Sequence, residues 1–246
     1  MRLMSPLFFL HGVSGAGSAW DRQVAHFETL GYRCTAWNQP GYGGTHAVEP
    51  YDLENVARAL KALVGDSKAV IVGHSMGGLI AQEFYARYPD NVAALALCFT
   101  SAAFVGGSDF SSQFVEQRIG PLDRGETMAQ IATRLMPAAR GRLSSEKGFE
   151  LAVRLMAALP PETYRKAVHL LTTFDRRAEL PNIAVPALLI AGTDDTTAPA
   201  RLMASMAKKI PGAELVVLDG CGHLGPMDQP ERFNAALEGF LTRRKL

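Results

Sequence analysis

Three residues whose side chains can together perform nucleophilic catalysis each follow a predicted strand in this chain. The pattern Gly73-His74-Ser75-Met76-Gly77 stands between an apolar run and a helical segment, which is the arrangement of a nucleophile elbow. A serine hydroxyl is a weak nucleophile, so it needs a neighbouring base, and that base needs a carboxylate to orient it. Asp194 and Asp195 follow one later apolar run and His223 follows another, in the order Ser, Asp, His. The spacing predicts acyl transfer chemistry at one edge of a sheet.

The elements that must position these residues alternate between strand and helix. Such alternation predicts an α/β fold with a mostly parallel sheet of about six strands flanked by helices. Several runs are almost wholly Val, Ile, Leu and Ala, as expected for strands covered on both faces. Ser18 and Asp21 resemble a helix-start box. The predicted strands are Leu7–Leu10, Arg33–Trp37, Ala69–Gly73, Ala93–Phe99, Ala187–Ala191 and Glu214–Leu218.

Residues 102–180 break this alternation and contain no run typical of a strand. Helical stretches occur there near Met128–Met136, Phe149–Leu159 and Tyr164–Phe174. Ligands of open α/β sheets bind beyond the carboxyl ends of the strands, so an insertion at that end tends to cover the site. We therefore expect a helical lid at 102–180 above a core of residues 1–101 and 181–246. The alternative is a helical layer without a role in substrate binding.

Arginines are frequent in this insertion. A guanidinium facing inward would bind a substrate carboxylate through two hydrogen bonds. The sequence does not assign this role to one residue, and solvation of the surface is the alternative for most of them. The residues concerned are Arg118, Arg124, Arg134, Arg154 and Arg165.

Five ordered motifs resemble those of the α/β-hydrolase superfamily over essentially the whole chain. Besides the elbow, these are His11-Gly12 after the first strand, Gly41-Tyr42-Gly43-Gly44, the acid loop from Gly192 to Pro199, and Gly222-His223 followed by Gln229-Pro230-Glu231-Arg232-Phe233. The acid loop resembles the pattern Gly-x-x-Asp-x-x-x-Pro, which selects Asp195 over Asp194. Asp194 remains the alternative, because a slip of one residue in the loop would change which carboxylate reaches the imidazole.

The resemblance implies a role for each site residue. Ser75 is the nucleophile, His223 the base and Asp195 the orienting acid, while the backbone N–H groups of Val13 and Met76 form the oxyanion hole. His74 and His11 are expected to be structural. No cofactor and no metal site are expected.

Two departures from the family pattern are visible. Few residues precede His11, so we expect a sheet without the N-terminal hairpin of many relatives. Asn38-Gln39-Pro40 replaces a segment that more often carries Asp, which we interpret as a local structural change.

The composition of the chain limits the classes of partner that the protein can bind. The chain has 246 residues and a formal net charge of +1, which gives no long-range field for nucleic acid. The longest apolar run, Val92 to Phe99, is far too short to span a membrane. The three cysteines are widely spaced, which favours reduced thiols and a cytoplasmic location. We expect a small-molecule substrate and no nucleic-acid or membrane partner, with a homo-oligomer left open.

The sequence therefore predicts a cofactor-independent serine hydrolase that cleaves an ester or a related activated acyl bond of a small, partly apolar molecule through an acyl-enzyme. Alternatives on the same scaffold are a C–C bond hydrolase or enol-lactonase of aromatic degradation, and a lyase. A non-catalytic ligand receptor is a further alternative, since fold alone does not fix function. Dinucleotide binding is disfavoured, because Gly12 to Gly17 lacks the spacing Gly-x-Gly-x-x-Gly.

Overall fold

The computed structural model describes residues 4–104 and 108–246. Six parallel strands form one sheet in the order β2-β1-β3-β4-β5-β6. This confirms the predicted fold class, and each predicted strand agrees with an observed one to within one residue at either end. The strands are β1 (Leu7–Leu10), β2 (Cys34–Trp37), β3 (Ala69–His74), β4 (Val92–Cys98), β5 (Ala187–Gly192) and β6 (Glu214–Leu218).

Helices cover both faces of the sheet. The α-helices in the described ranges are α1 (Asp21–Thr29), α2 (Leu53–Val64), α3 (Met76–Arg87), α4 (Ser108–Asp123), α5 (Met128–Leu135), α6 (Glu146–Ala157), α7 (Pro161–Thr172), α8 (Ala200–Lys209), α9 (Gly225–Asp228) and α10 (Pro230–Arg244). Short 3-10 helices occur at Gly17–Trp20, Pro89–Asn91, Met136–Ala139 and Leu180–Asn182. Within these ranges, we find no helix that combines the length and the apolar character needed to cross a bilayer.

Two apolar clusters pack against the two faces of the sheet. On one face, Phe27 of α1 and Phe240 of α10 meet the buried side chain of Phe9 from β1. On the other face, α2, α3 and α8 pack together with the helices that lie between β4 and β5. Strands β1, β3 and β5 are buried along their whole length, which explains their nearly continuous apolar sequences.

The chain between β4 and β5 contains α4 to α7 and returns to its starting point. Its two ends run side by side: the Arg176 N–H donates to the Ala102 carbonyl at 2.7 Å, and the Phe104 N–H donates to the Phe174 carbonyl at 2.9 Å. An antiparallel bridge joins Ala103 to Asp175 between them. These contacts bring the two ends of this segment together in a narrow neck.

Two local details differ from the sequence analysis. Helix α1 begins at Asp21 without a side-chain cap, and Ser18 lies in the preceding 3-10 turn, so the predicted helix-start box was wrong. Helix α4 was not among the predicted helical stretches. It contains Pro121, preceded by Gly120, and these residue types usually end helices.

Candidate active site

The turn between β3 and α3 places Ser75 in a conformation that few residues adopt. Its backbone has φ 53° and ψ −118°. The turn is closed by close backbone contacts, because a Cβ on Gly73 would lie 2.3 Å from the Gly77 carbonyl oxygen, and one on Gly77 would lie 2.1 Å from that of Leu10. The Thr100 hydroxyl also donates to the Ser75 carbonyl at 2.8 Å. Glycine is therefore required at both positions for the serine to stand at the sheet edge.

The structure brings Ser75, His223 and Asp195 together. The Ser75 hydroxyl lies 3.0 Å from His223 Nε2, and His223 Nδ1 lies 2.8 Å from Asp195 Oδ2. Ser75 follows β3, Asp195 follows β5 and His223 follows β6, so parallel strands deliver all three to one edge. This geometry allows a proton to pass from the hydroxyl to the imidazole while the carboxylate fixes the ring.

The Asp195 carboxylate is held ionised in a buried position. Burial by itself would raise the pKa of Asp195, but the His223 imidazole and two backbone N–H groups lower that pKa below its ordinary value. These N–H groups belong to Thr197 and Ala198 and donate to Asp195 Oδ1 at 2.8 and 2.9 Å. A fixed negative charge at this point stabilises the imidazolium that forms when His223 accepts a proton.

Two further histidines lie near the triad, and both are buried. The His74 ring donates from Nε2 to the His223 carbonyl oxygen at 2.7 Å, and burial lowers the pKa of His74 to about 3. The His11 ring donates from Nδ1 to the Gly12 carbonyl at 2.9 Å, and burial lowers the pKa of His11 to about 4. Both rings stay neutral near pH 7, as the structural role predicted from the sequence requires.

The loop after β1 places Val13 beside Ser75. The Tyr42 hydroxyl donates to the Val13 carbonyl at 3.0 Å, and the Gln39 amide donates to the His11 carbonyl at 2.6 Å. Met76 opens α3, so its N–H is one of the first donors of the helix and has no acceptor within it. The Asn38-Gln39-Pro40 departure is thus a local structural feature that fixes the β1 loop.

A small apolar cavity of about 60 Å³ opens beside Ser75 and His223. None of the described residues that line it is Lys, Arg, Asp or Glu. The sheet edge and the helical insertion both contribute, so the site lies between the two parts. The other lining residues are Gly12, Val13, Ser14, Gly15, Ala19, His74, Met136, Ala139, Ala152, Leu224 and Met227.

The arginines named in the sequence analysis do not line this cavity. Arg124, Arg134 and Arg165 pair with Glu116, Glu126 and Asp123. Arg118 lies over the Phe114 ring, 5.1 Å from its centroid. Arg154 is absent from the cavity lining as well. The hypothesis that one of them faces inward to bind a substrate carboxylate finds no support in this geometry.

Asp194, the alternative acid, points away from the imidazole. Its Oδ2 accepts the Arg142 backbone N–H at 2.8 Å, and its Oδ1 lies 3.0 Å from the Arg142 guanidinium. Among the described residues, no group of three or more His, Cys, Asp or Glu side chains has the arrangement of a metal site.

Sequence reasoning did not identify the contacts that the insertion makes with the site. Met136, Ala139 and Ala152 line the cavity, and Arg142 contacts the acid loop. Alanines carry no chemical signal in a sequence, and the position of Arg142 depends on how the insertion folds back, so no local pattern marked these residues.

The chain is similar to known hydrolases over most of its length. The chain is 27% identical to the pimeloyl-[acyl-carrier protein] methyl ester esterase of Neisseria meningitidis, over 96% of this chain and 93% of the relative. It is 28% identical to a 2-hydroxy-6-oxononadienedioate/2-hydroxy-6-oxononatrienedioate hydrolase of a Pseudomonas species, over 95% of this chain and 86% of the relative.

Among solved structures, a thermophilic esterase from Thermogutta terrifontis superposes with a TM-score of 0.86 at 27% identity, covering 98% of this chain and 90% of that one. The family model for the alpha/beta hydrolase fold matches residues 5–230. The chain therefore belongs to the alpha/beta hydrolase fold family.

Proposed function

We propose that this protein is a serine esterase acting on small, uncharged, largely apolar acyl groups, with Ser75, His223 and Asp195 as its catalytic triad. The observation that carries the proposal is the continuous hydrogen-bonded chain from Ser75 Oγ through the His223 ring to the Asp195 carboxylate, opening into an apolar cavity. Esterases among the similar proteins support the same reaction class.

The reaction proceeds through an acyl-enzyme. Ser75 Oγ attacks the ester carbonyl carbon while His223 Nε2 takes its proton, and the N–H groups of Val13 and Met76 stabilise the oxyanion. His223 then gives the proton to the departing alkoxide oxygen, which leaves as an alcohol. Water repeats the sequence on the acyl-enzyme and releases the carboxylic acid. Loss of one oxyanion donor would cost about 3 kcal/mol in the barrier.

The helical insertion serves as the lid in this proposal, with residues 102–180 closing over a core of 1–101 and 181–246. Met136, Ala139 and Ala152 form its share of the cavity wall. These side chains offer only apolar contact, so the acyl group is held by shape and burial. A substrate carboxylate would be desolvated there without a cationic partner from the described lining, which disfavours the dianionic substrates that C–C bond hydrolases cleave.

The test compares hydrolysis of p-nitrophenyl esters of increasing acyl length with that of an enol-lactone and of a vinylogous diketone carboxylate. We expect the neutral short-chain esters to react fastest. Ser75→Ala should keep its fold and lose kcat by several orders of magnitude, whereas Ser67→Ala, at a serine far from the site, should match the parent. Faster turnover of the diketone carboxylate, or ester hydrolysis retained in Ser75→Ala, would contradict the proposal.

A second pair of variants tests the identity of the acid. Asp195→Asn should lower kcat by about 10⁴-fold, because the amide favours the wrong imidazole tautomer. Asp194→Asn should lower kcat by no more than about tenfold, since Asp194 contacts Arg142 and not the imidazole. The reverse order of the two losses would assign the acid to Asp194.

A further inference from the structure

One short segment of the helical insertion lies directly on the loop that carries His223. The segment comprises residues Ala139 to Ser144, between the Met136–Ala139 turn and α6, and we name it the strap. The Ala139 carbonyl accepts the backbone N–H of His223 at 2.8 Å, and the Leu143 N–H donates to the Gly220 carbonyl at 2.9 Å. The strap therefore holds the histidine loop at His223 itself and three residues before it.

Two different parts of the chain hold the backbone of His223, one at its N–H and one at its carbonyl. The His223 N–H binds the strap, while the His223 carbonyl accepts a hydrogen bond at 2.7 Å from His74, which adjoins the nucleophile. The distance between His223 Nε2 and Ser75 Oγ is set by the position of this backbone. An element of the insertion therefore holds the backbone of the base from its N–H side, as His74 holds it at the carbonyl.

Close packing leaves the strap little freedom relative to the histidine loop. A Cβ on Gly141 would lie 2.4 Å from both the Gly220 carbonyl oxygen and the Gly222 nitrogen. A Cβ on Gly222 would lie 2.4 Å from the Ala139 carbonyl oxygen. Two glycines facing each other allow this backbone-to-backbone contact, and any larger side chain would force the loops apart.

Arg142, at the middle of the strap, joins the acid loop to the histidine loop. Its backbone N–H and guanidinium both bind the Asp194 carboxylate, at 2.8 and 3.0 Å, and its second terminal nitrogen lies 2.5 Å from Asp219 Oδ1. Asp194 precedes the triad acid, and Asp219 precedes the Gly220–Gly222 turn that leads to His223. The planar guanidinium presents its donors in a rigid fork and can bind two carboxylates at a fixed separation, whereas a lysine ammonium is a point charge on a flexible stem.

We propose that the strap positions the catalytic base and that Arg142 is its positioning residue, so that the insertion contributes to proton transfer as well as covering the site. This inference rests on the proposed function and extends it. Surface ion pairs alone contribute little to stability. The expected effect of Arg142 is therefore on the geometry of the triad, where a small misplacement lowers the rate more than it lowers stability.

The main test is Arg142→Ala, compared with Arg177→Ala as a matched control. Arg177 is exposed to the same degree, 55% against 54%, and it pairs with Asp175 outside the strap. Arg142→Ala should lower kcat by about tenfold with KM changed by less than about twofold, because the cavity wall is intact. Arg142→Lys should recover part of the loss, since it can still bind one of the two carboxylates. Arg177→Ala should leave both constants unchanged.

A second readout reports nucleophile activation without any substrate. The rate at which a fluorophosphonate modifies Ser75 should fall in Arg142→Ala in proportion to kcat and stay unchanged in Arg177→Ala. Gly141→Ala, which pushes the strap off the histidine loop, should lower this rate further in a chain that remains folded. If that variant does not fold, the arginine series decides.

The outcomes separate the two proposals. If Ser75→Ala keeps the activity, or if the parent neither hydrolyses esters nor reacts with the fluorophosphonate, the proposed function fails and the strap proposal fails with it. If Ser75-dependent activity is present and Arg142→Ala equals Arg177→Ala in both readouts, the strap proposal alone is overturned. Equal losses in Arg142→Lys and Arg142→Ala would also overturn the bridging role of the guanidinium.

Discussion

At the scale of single residues, the active site contains one residue, Ser75, in an unfavourable backbone conformation. A non-glycine residue at φ 53° and ψ −118°, such as Ser75, costs on the order of 1 to 3 kcal/mol. Residues at the end of β4 hold its peptide groups: the Ser75 N–H donates to the Cys98 carbonyl, and the Thr100 hydroxyl donates to the Ser75 carbonyl. These contacts offset the cost, and the conformation presents the Ser75 hydroxyl to His223 Nε2.

A buried carboxylate beside the histidine loop gives a prediction on how the stability of the protein depends on pH. Burial raises the pKa of Asp228 to about 6, from an ordinary value of 3.8. Its Oδ2 accepts the Ser144 hydroxyl, and its Oδ1 has no partner among the described residues. Between these two pH values the folded state binds more protons than the unfolded state, so this group adds stability as the pH falls and loses it as the pH rises through 6.

Asp228→Asn removes this dependence. At pH 7.5 the variant should be more stable than the parent by on the order of 2 kcal/mol, and the difference should shrink at pH 5. Urea denaturation at the two pH values measures it. The buried His11 and His74 are present in both proteins, so their effects on the stability cancel in the difference. A variant that is less stable than the parent at pH 7.5 would contradict the prediction.

At the scale of elements, we expect that replacing either of two helical glycines by alanine changes the stability of the protein in opposite directions. Gly77 lies in the first turn of α3, close to β1, where a Cβ would lie 2.1 Å from the Leu10 carbonyl oxygen. Gly239 lies inside α10, where a Cβ would meet only the flexible end of Arg243, at 3.1 Å. Gly239→Ala should stabilise the fold by about 0.5 to 1 kcal/mol, and Gly77→Ala should destabilise it by about 3 kcal/mol or more. Thermal unfolding measures the change in melting temperature of each variant relative to the parent. Equal shifts in the two variants would show that the elbow has room for a side chain.

The same scale shows what the sequence could predict. Strands such as β1 and β6 were predicted to the residue, because an apolar run between turn residues has a strong local pattern. The proximity of Ser75, Asp195 and His223 followed from these strand predictions, since the carboxyl ends of parallel strands lie at the same edge of the sheet. Helix α4 and the start of α1 were not predicted correctly, because tertiary packing there overrides local preferences for Pro121 and Ser18.

At the scale of the whole molecule, contacts between residues far apart in the chain fix the insertion and join it to the core. Its neck pairs residues 102–104 with 174–176, its strap lies on the histidine loop, and Arg176 reaches the nucleophile helix. None of these contacts has a local sequence signal, because each joins residues far apart in the chain. The sequence predicted that residues 102–180 are helical, but the contacts that orient them over the cavity could be read only from the structure.

The contact between Arg176 and the nucleophile helix gives a prediction on the stability of the protein. Glu83 of α3 has a side chain only 3% exposed, and its carboxylate is bound by Arg87 from the same helix and by Arg176 from the neck. Arg176 donates to it from Nε at 2.9 Å and from Nη2 at 2.6 Å. Removing one partner of a buried charge leaves it incompletely compensated. Arg176→Ala should therefore destabilise the protein by about 2 kcal/mol.

The adjacent Arg177 supplies the control, because it is exposed and pairs with the exposed Asp175, so Arg177→Ala should change stability by less than about 0.5 kcal/mol. Urea denaturation of both variants at pH 7.5 measures the two effects. Glu83→Gln in the Arg176→Ala background should recover part of the loss, because it removes the uncompensated charge and keeps the shape of the side chain. Equal stability of the two arginine variants would mean that Arg87 alone compensates Glu83, and the neck would then be held to α3 by its backbone and apolar contacts.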